Sequence, residues 1–172
     1  MGRITKIIYQ RINLIFVLIM DKILSLISTN FYEKCNLKVI DFTIEKESRE
    51  YFGSKFVVKS NKIIYRQAKI TPTKTGQFVT FWKRNGKNNT TPIEESDDFD
   101  FYVITVCNEE KKGQFIIPKK VLVEKGIVST NNNEGKRGFR VYPLWDEPLS
   151  KQAIKTQQWQ LDYFIELNKV TP

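Results

Sequence analysis

A chain of 172 residues, 41% hydrophobic and 13% aromatic, has the composition of one folded domain rather than of a disordered segment. It contains no histidine, which excludes Ser-His-Asp and Cys-His nucleophile systems as well as imidazole metal sites. The formal net charge of +9 favours an anionic partner, such as nucleic acid, an acidic membrane surface or a phosphorylated ligand.

Any catalysis by this chain has to use carboxylates, lysine, tyrosine or a hard cation such as Mg²⁺ held by carboxylates. Only two cysteines are present, Cys35 and Cys107, and their spacing matches no metal-ligand motif. Two free thiols are typical of a protein from a reducing compartment, so we expect a cytoplasmic location.

The first thirty residues contain an apolar run over residues 12–20. The run is too short to cross a bilayer and no small-residue cleavage site follows it, so we expect neither a membrane span nor a secretory signal. We interpret Met20 as the natural start, with 1–19 as an upstream in-frame extension and 20–30 as an amphipathic helix. The alternative is that residues 1–19 lengthen this helix.

Charge is segregated along the rest of the chain. Residues 51–93 contain nine Lys or Arg and no Asp or Glu, whereas residues 94–100 contain five acids. This distribution predicts a basic sheet followed by an acidic loop. A clustered positive charge of this kind is the electrostatic footprint of a nucleic-acid-binding surface.

Three strands are predicted inside the basic block. Residues 55–59 and 62–69 are rich in β-branched side chains and are joined by Ser60-Asn61, a pattern that predicts a hairpin. A proline-containing turn leads into a third alternating run over 75–84. These three segments are expected to form the basic part of the sheet.

The second half of the chain adds strands and helices. The continuous apolar run 99–106 predicts a central strand, and 113–118 forms a hairpin with it. A short helix follows and ends at Gly126. Residues 139–145 predict another strand, and a final helix is predicted from an N-cap at Ser150. Its apolar face is expected to contain Ile154, Leu161, Phe164 and Ile165.

The predicted order is helix, three strands, acidic loop, two strands, short helix, strand and long helix. Runs of strands combined with few helices favour an α+β domain. We therefore predict a single domain over residues 20–172, with a mostly antiparallel or mixed central sheet and flanking helices.

The second hairpin strand ends in Gln67-Ala68-Lys69. Phosphodiester-cleaving, restriction-endonuclease-like folds of the PD-(D/E)xK type have a carboxylate or amide and a Lys at this spacing on one strand face. In those folds, acidic oxygens hold a divalent cation against the phosphate and the Lys positions water. The order QAK, FVTFWKR, SDDFDFYVITV and GQFIIPKK resembles a bacterial branch of this superfamily.

One acid of that superfamily is missing here. The resemblance implies a metal-binding Asp on the strand before the motif, where this chain reads GSKFVVKSNK and has Ser54 or Lys55 instead. Gln67, Lys69 and Glu50 are therefore vestigial catalytic candidates, and we predict no metal site. Whether the chain is an enzyme is left open, and a Mg²⁺ cofactor is expected only if it cleaves nucleic acid.

A closer resemblance covers nearly the whole chain after Met20. The segments YRQAKITPTKTGQFVTFWKR, DFDFYVITV, GQFIIPKKVLVEKGI, EGKRGFRVYPLWDEP and KQAIKTQQWQLDYF resemble the MepB family. This family consists of small bacterial cytoplasmic proteins, one of which is encoded beside a multidrug efflux pump and its repressor. The resemblance implies a cytoplasmic location but supplies no activity.

Basic side chains from several predicted elements could line one phosphate-binding face. The candidates are Lys69, Lys74, Lys83, Arg84, Lys136, Arg137, Arg140 and Lys155, together with the aromatic Trp82. Phe81, Trp145 and Trp159 are further candidates, either for stacking on a base or for core packing. We expect Trp82 and Trp145 to be the more exposed of these aromatic residues.

We predict a monomeric protein that binds nucleic acid, DNA or RNA, on a nuclease-like fold that has lost its metal site. Two alternatives stay open. One is an active Mg²⁺-dependent nuclease with a relocated acid. The other is a small-molecule or drug-response accessory protein, which only the efflux-linked relative suggests.

Overall fold

The computed structural model describes residues 37–167. The chain divides into two compact units, Met1–Val39 and Ile40–Pro172, and nearly all of the described residues belong to the second. The extension proposed for residues 1–19 and the helix predicted over 20–30 both lie outside the described residues. Among the residues that are described, no helix has the length and apolar character needed to cross a membrane.

The largest sheet contains six strands. They are β1 (Val39–Ile44), β2 (Ser54–Val58), β3 (Asn61–Gln67), β8 (Phe101–Cys107), β9 (Lys112–Pro118) and β11 (Phe164–Glu166), arranged in the order β1-β2-β3-β8-β9-β11. β3 is parallel to β8, whereas β2 with β3, β8 with β9 and β9 with β11 are antiparallel pairs. The predicted mixed central sheet is therefore confirmed.

Two smaller sheets and two helices complete the described part of the chain. β10 (Gly138–Val141), β5 (Lys74–Thr80) and β4 (Lys69–Thr71) form an antiparallel sheet in that order, and β6 (Trp82–Arg84) pairs with β7 (Thr90–Pro92). The helices are α1 (Lys119–Glu124) and α2 (Lys151–Leu161), and Arg49–Tyr51 forms a 3₁₀ turn. The α+β class is confirmed.

The hairpin of β2 and β3 has the predicted position. Its loop consists of Lys59 and Ser60, since Val58 is paired with Asn61. The loop residues have φ angles of 47° and 71°. Two consecutive positive φ angles are typical of a type I′ turn, whose twist suits the flanking strands. The turn begins one residue earlier than the Ser60-Asn61 pair predicted from the sequence.

The central position predicted for the 99–106 run is also confirmed. β8 lies between β3 and β9, and its residues from Tyr102 to Val106 are buried. The core cluster joins this sheet to the three-stranded sheet and to α1. Its members include Ile64, Val79, Tyr102, Ile104, Phe115, Ile117, Leu122, Phe139 and Val141. Burial on both faces explains why the strand reads as a continuous apolar run.

The strand predicted over 62–69 is divided between two sheets. β3 ends at Gln67, and β4 begins at Lys69 in the three-stranded sheet. Ala68 between them donates its N–H to the carbonyl oxygen of Thr105 at 2.9 Å, and its side chain is buried. The chain therefore changes sheets inside the Gln-Ala-Lys motif.

The strand predicted over 75–84 is divided in the same way. β5 and β6 belong to different sheets, and Phe81 lies between them. Its ring is fully buried and stacks on Tyr102 with centroids 4.4 Å apart. Of the two alternatives left open for Phe81, base stacking and core packing, the structure shows core packing.

The final helix is shorter than predicted. Ser150 caps α2 as expected, since its side chain accepts from the N–H of Ala153. The helix ends at Leu161, and Phe164 and Ile165 belong to β11 rather than to a helical face. The ring of Phe164 packs on Gly113 of β9, where a Cβ would be 2.4 Å from it. A distant strand partner therefore overrides the local helical pattern.

Gly135 lies where the chain cannot accommodate a side chain. A Cβ built on it would be 2.5 Å from the carbonyl oxygen of Ile127 and 2.5 Å from the backbone nitrogen of Ser129. Gly135→Ala should therefore lower the free energy of unfolding by about 2 kcal/mol, because backbone atoms must move. Gly86→Ala is the matched control, since nothing lies within 4 Å of its Cβ position. Equal urea midpoints for the two variants would contradict the prediction.

Candidate anion-binding site

A cavity of about 440 Å³ opens where β5, β10, α2 and the end of α1 meet. Four of its lining residues are cationic, namely Lys74, Lys125, Lys136 and Arg140. Among the described residues that line it, none carries a carboxylate. The cavity therefore combines a concave shape with an unbalanced positive charge.

Arg140 is fixed by hydrogen bonds to the turn between β4 and β5. Its Nη1 donates to the carbonyl oxygen of Gly76 at 2.8 Å and to that of Lys74 at 3.3 Å. Its Nη2 donates to Oγ1 of Thr71 at 2.6 Å. These neutral acceptors hold the guanidinium in place, and among the described residues no carboxylate forms an ion pair with it. The same bonds fix the backbone that presents Lys74.

The three lysines of the cavity are exposed at its rim. Within the described part of the chain, no ion pair is formed by Lys74, Lys125 or Lys136. The ammonium of Lys125 lies 5.5 Å from the ring centroid of Trp159, which also lines the cavity. An anion entering the cavity would thus meet ammonium groups that no described carboxylate neutralises.

Gln160 supports the cavity wall from α2. Its side chain is fully buried, accepting from the N–H of Tyr142 at 2.9 Å and donating to the carbonyl oxygen of Arg140 at 2.9 Å. Both the oxygen and the nitrogen of the amide are therefore hydrogen-bonded to the protein's own backbone. This link fastens α2 to the chain on either side of Val141, the end of β10.

Lys69 lies on the same face of the three-stranded sheet as Arg140. Phe78 is paired with Lys69 on one side and with Arg140 on the other. Directly opposite residues of antiparallel strands share a face, and neighbouring strands are about 4.8 Å apart. The Cα atoms of Lys69 and Arg140 are therefore about 10 Å apart across the sheet, with Phe78 on the strand between them.

Phe78 and Tyr142 were missed from the sequence, because each depends on a glycine of another strand. The Cβ position of Gly138 is 2.6 Å from the Phe78 ring, and that of Gly76 is 2.6 Å from the Tyr142 ring. Only glycine permits such close approach, so the two rings lie against the backbone of neighbouring strands. Lys125 was also missed, and no local signal distinguishes it from other lysines.

Two of the three vestigial catalytic candidates, Lys69 and Glu50, are in contact, and Gln67 is not part of that contact. Nζ of Lys69 lies 3.0 Å from Oε2 of Glu50 and 4.6 Å from the ring centroid of Tyr51. Gln67 has a different neighbour, since its Nε2 contacts Sγ of Cys107 at 3.4 Å. Lys69 and Glu50 thus form a surface ion pair, with Gln67 on another sheet.

Lys55, one of the two residues at the position of the missing Asp, forms an ion pair. Lys55 lies 3.3 Å from Oε1 of Glu45. In the described part of the chain, no group of three or more Cys, Asp or Glu side chains is placed to hold a metal ion.

Lys83 and Arg84 are neutralised by acids. Nζ of Lys83 lies 2.8 Å from Glu94 and 2.7 Å from Asp97, and Nε of Arg84 lies 3.6 Å from Glu47. Burial opposes the charge of Lys83, but hydrogen bonds to both carboxylates outweigh it and raise the pKa of the amine above its usual value. The acidic loop therefore packs onto the basic β6 strand.

The remaining predicted residues lie outside the cavity. Arg137 pairs with Glu134 at 3.0 Å, and Lys155 is exposed on α2 without lining the cavity. Trp82 and Trp145 are each half-buried, so neither is fully exposed. Trp145 packs on the core, with its ring centroid 5.5 Å from that of Phe164.

Asp146 is held at the same turn as Arg140. Burial raises the pKa of its carboxyl group, and a hydrogen bond from the N–H of Gly76 opposes that shift. Gly76 thus contacts Asp146 through its N–H and Arg140 through its carbonyl oxygen. These contacts add to the rigidity of the turn that carries Lys74.

Comparison with known proteins identifies one family. The family model described as MepB-like matches residues 45–166. The crystal structure of MepB is 40% identical to this chain, with a TM-score of 0.76 over 87% of this chain and 97% of that one. The bacterial homing endonuclease I-Ssp6803I is a distant match, at 15% identity and a TM-score of 0.42 over 76% and 81%. Curated proteins gave no match.

Proposed function

This chain belongs to the MepB-like family, and we propose that it binds nucleic acid through the phosphate backbone, with the cationic cavity as the main contact. One observation carries the proposal. Lys74, Lys125, Lys136 and Arg140 converge on the cavity, and no described carboxylate lines it. Positive side chains that form no ion pair with a described carboxylate are what a phosphate-binding surface requires.

The neighbouring sheet face extends this contact. Lys69 lies on the same face as Arg140, with Phe78 between them. A strand whose phosphate occupies the cavity could therefore place a further phosphate near Lys69. The surface ion pair with Glu50 is exposed on both sides, so it costs little to exchange for a phosphate contact.

Binding of this kind should depend steeply on salt. Each phosphate contact contributes a slope of about −0.7 to −0.9 in a plot of log K against log salt concentration, because counterions are released. Four contacts from the cavity predict a total slope of about −3. Fluorescence anisotropy of labelled single-stranded and duplex DNA and RNA, titrated from about 50 mM salt upward, measures it.

Two results would overturn the proposal. One is the absence of binding to every one of these nucleic acids at the lowest salt concentration. The other is binding with an affinity that does not change with salt, since phosphate contacts cannot be responsible for it.

A further inference from the structure

We propose that the cavity binds the terminal phosphate of a nucleotide, a phosphomonoester, in preference to a phosphodiester from the interior of a strand. The proposal rests on the proposed function, because it specifies which part of a nucleic acid enters the cationic cavity. It follows from the number of charges, the size of the cavity and the side chains beside the cations.

The first step concerns charge. A phosphodiester carries one negative charge, whereas a phosphomonoester carries about −1.5 to −2 at pH 7. Four cations converge on one cavity, and no described carboxylate lines it. Ser150, the N-cap of the eleven-residue helix α2, also lines the cavity. The positive end of a helix dipole adds to the same field, so a doubly charged group gains most from this site.

The second step concerns size. A volume of about 440 Å³ falls in the range of cavities that enclose one small molecule. Such a cavity can take one nucleotide, whereas an internal phosphate needs room for the chain to leave on both sides. One terminal nucleotide therefore matches the volume of this half-open site, and the charge and the aromatic wall decide between the two kinds of phosphate.

The third step concerns the aromatic wall. Tyr142 and Trp159 line the cavity beside the cations, and Lys125 lies 5.5 Å from the Trp159 ring centroid. A base attached to the bound phosphate can stack on an aromatic side chain in a sequence-tolerant way. The site therefore offers contacts both to the phosphate and to the nucleoside attached to that phosphate.

The fourth step concerns rigidity. Arg140 is fixed by Thr71, Gly76 and Lys74, and Gln160 joins Tyr142 to the Arg140 backbone. These groups are already in place before any ligand arrives, so little ordering is needed on binding.

Two kinds of ligand carry such a phosphomonoester: the end of a strand and a free mononucleotide. The test therefore compares one single-stranded sequence in four forms: with a 5′-phosphate, with a 3′-phosphate, with hydroxyls at both ends, and closed into a circle. Free AMP serves as a competitor against the best of them. Anisotropy at low salt measures all affinities on the full chain.

We expect one phosphorylated end to bind roughly ten-fold more tightly than the hydroxyl-ended and circular forms, since one further charge contact is made. Lys125→Ala should lower the affinity for the circle by up to about ten-fold, as the loss of any one cavity cation does, and should lower the affinity for the phosphorylated strand further, so that most of this preference is lost. Lys120→Ala is the control, since Lys120 belongs to helix α1, which ends directly before Lys125, and does not line the cavity. Stronger competition by AMP than by the phosphorylated strand would identify free nucleotides as the source of the same phosphomonoester.

The failures of the two proposals are distinguishable. Equal, salt-dependent binding of all four strands, with no competition by AMP, would overturn the terminal-phosphate site and leave nucleic-acid binding in place. Failure of all four strands to bind would overturn the proposed function itself.

Discussion

Replacing Glu45 with alanine should lower the free energy of unfolding by about 3 kcal/mol or more, because it leaves a buried guanidinium without its counter-charge. The side chain of Arg66 is 1% exposed, and its Nη2 forms an ion pair with Glu45. Its Nη1 donates to the carbonyl oxygen of Tyr65 at 2.7 Å, a neutral acceptor. Urea unfolding at neutral pH, followed by circular dichroism, measures the effect.

Two variants separate this cause from others. Lys55 also pairs with Glu45 at 3.3 Å, but its side chain is 54% exposed, so Lys55→Ala should cost less than about 1 kcal/mol. The double variant Glu45→Ala with Arg66→Met buries no charge, and we expect it to be more stable than Glu45→Ala alone. A Glu45→Ala protein as stable as the wild type would show that the buried pair does not control stability.

Replacing both Lys74 and Lys136 with alanine should weaken nucleic-acid binding by roughly a hundred-fold at about 50 mM salt. The estimate follows from the slope of about −0.7 to −0.9 for each lost phosphate contact, taken against 1 M salt, where the electrostatic contribution vanishes. The total salt slope should become shallower by about 1.4 to 1.8. Both lysines line the cavity and are exposed, so we expect folding to be unaffected.

The matched control removes the same charge elsewhere. Lys55→Ala with Lys120→Ala takes two lysines from outside the cavity, and their side chains are 54% and 86% exposed. We expect at most a few-fold loss of affinity, from the lower net charge alone. Equal losses in the two double variants would show that binding follows overall charge and does not use the cavity.

The part of the fold that could be predicted is the part set by local pattern. The β2–β3 hairpin, the buried β8 strand and the short helix α1 ended by Gly126 all follow from neighbouring residues. The breaks at Ala68 and Phe81 could not be predicted, because each depends on burial against β8, far along the chain. β11 was missed for the same reason, since its partner is β9.

The residues of the candidate site could likewise be predicted only in part. Lys74, Lys136 and Arg140 were predicted from the basic composition of their segments, and the structure places all three at one cavity. Lys83 was predicted on the same grounds but is paired with Glu94 and Asp97. Whether a lysine is available to an anionic ligand or is paired with a carboxylate of the protein depends on which loop folds against it.

The sequence by itself determined the class of this protein: α+β, basic, without histidine chemistry and similar to the MepB family. Composition and local periodicity carry that information, because they limit which side chains are present and which elements they form. Only the tertiary structure decided which cations converge. The cavity is built from β5, β10, α2 and the segment that follows α1, and their approach depends on long-range contacts such as those of Arg140 and Gln160.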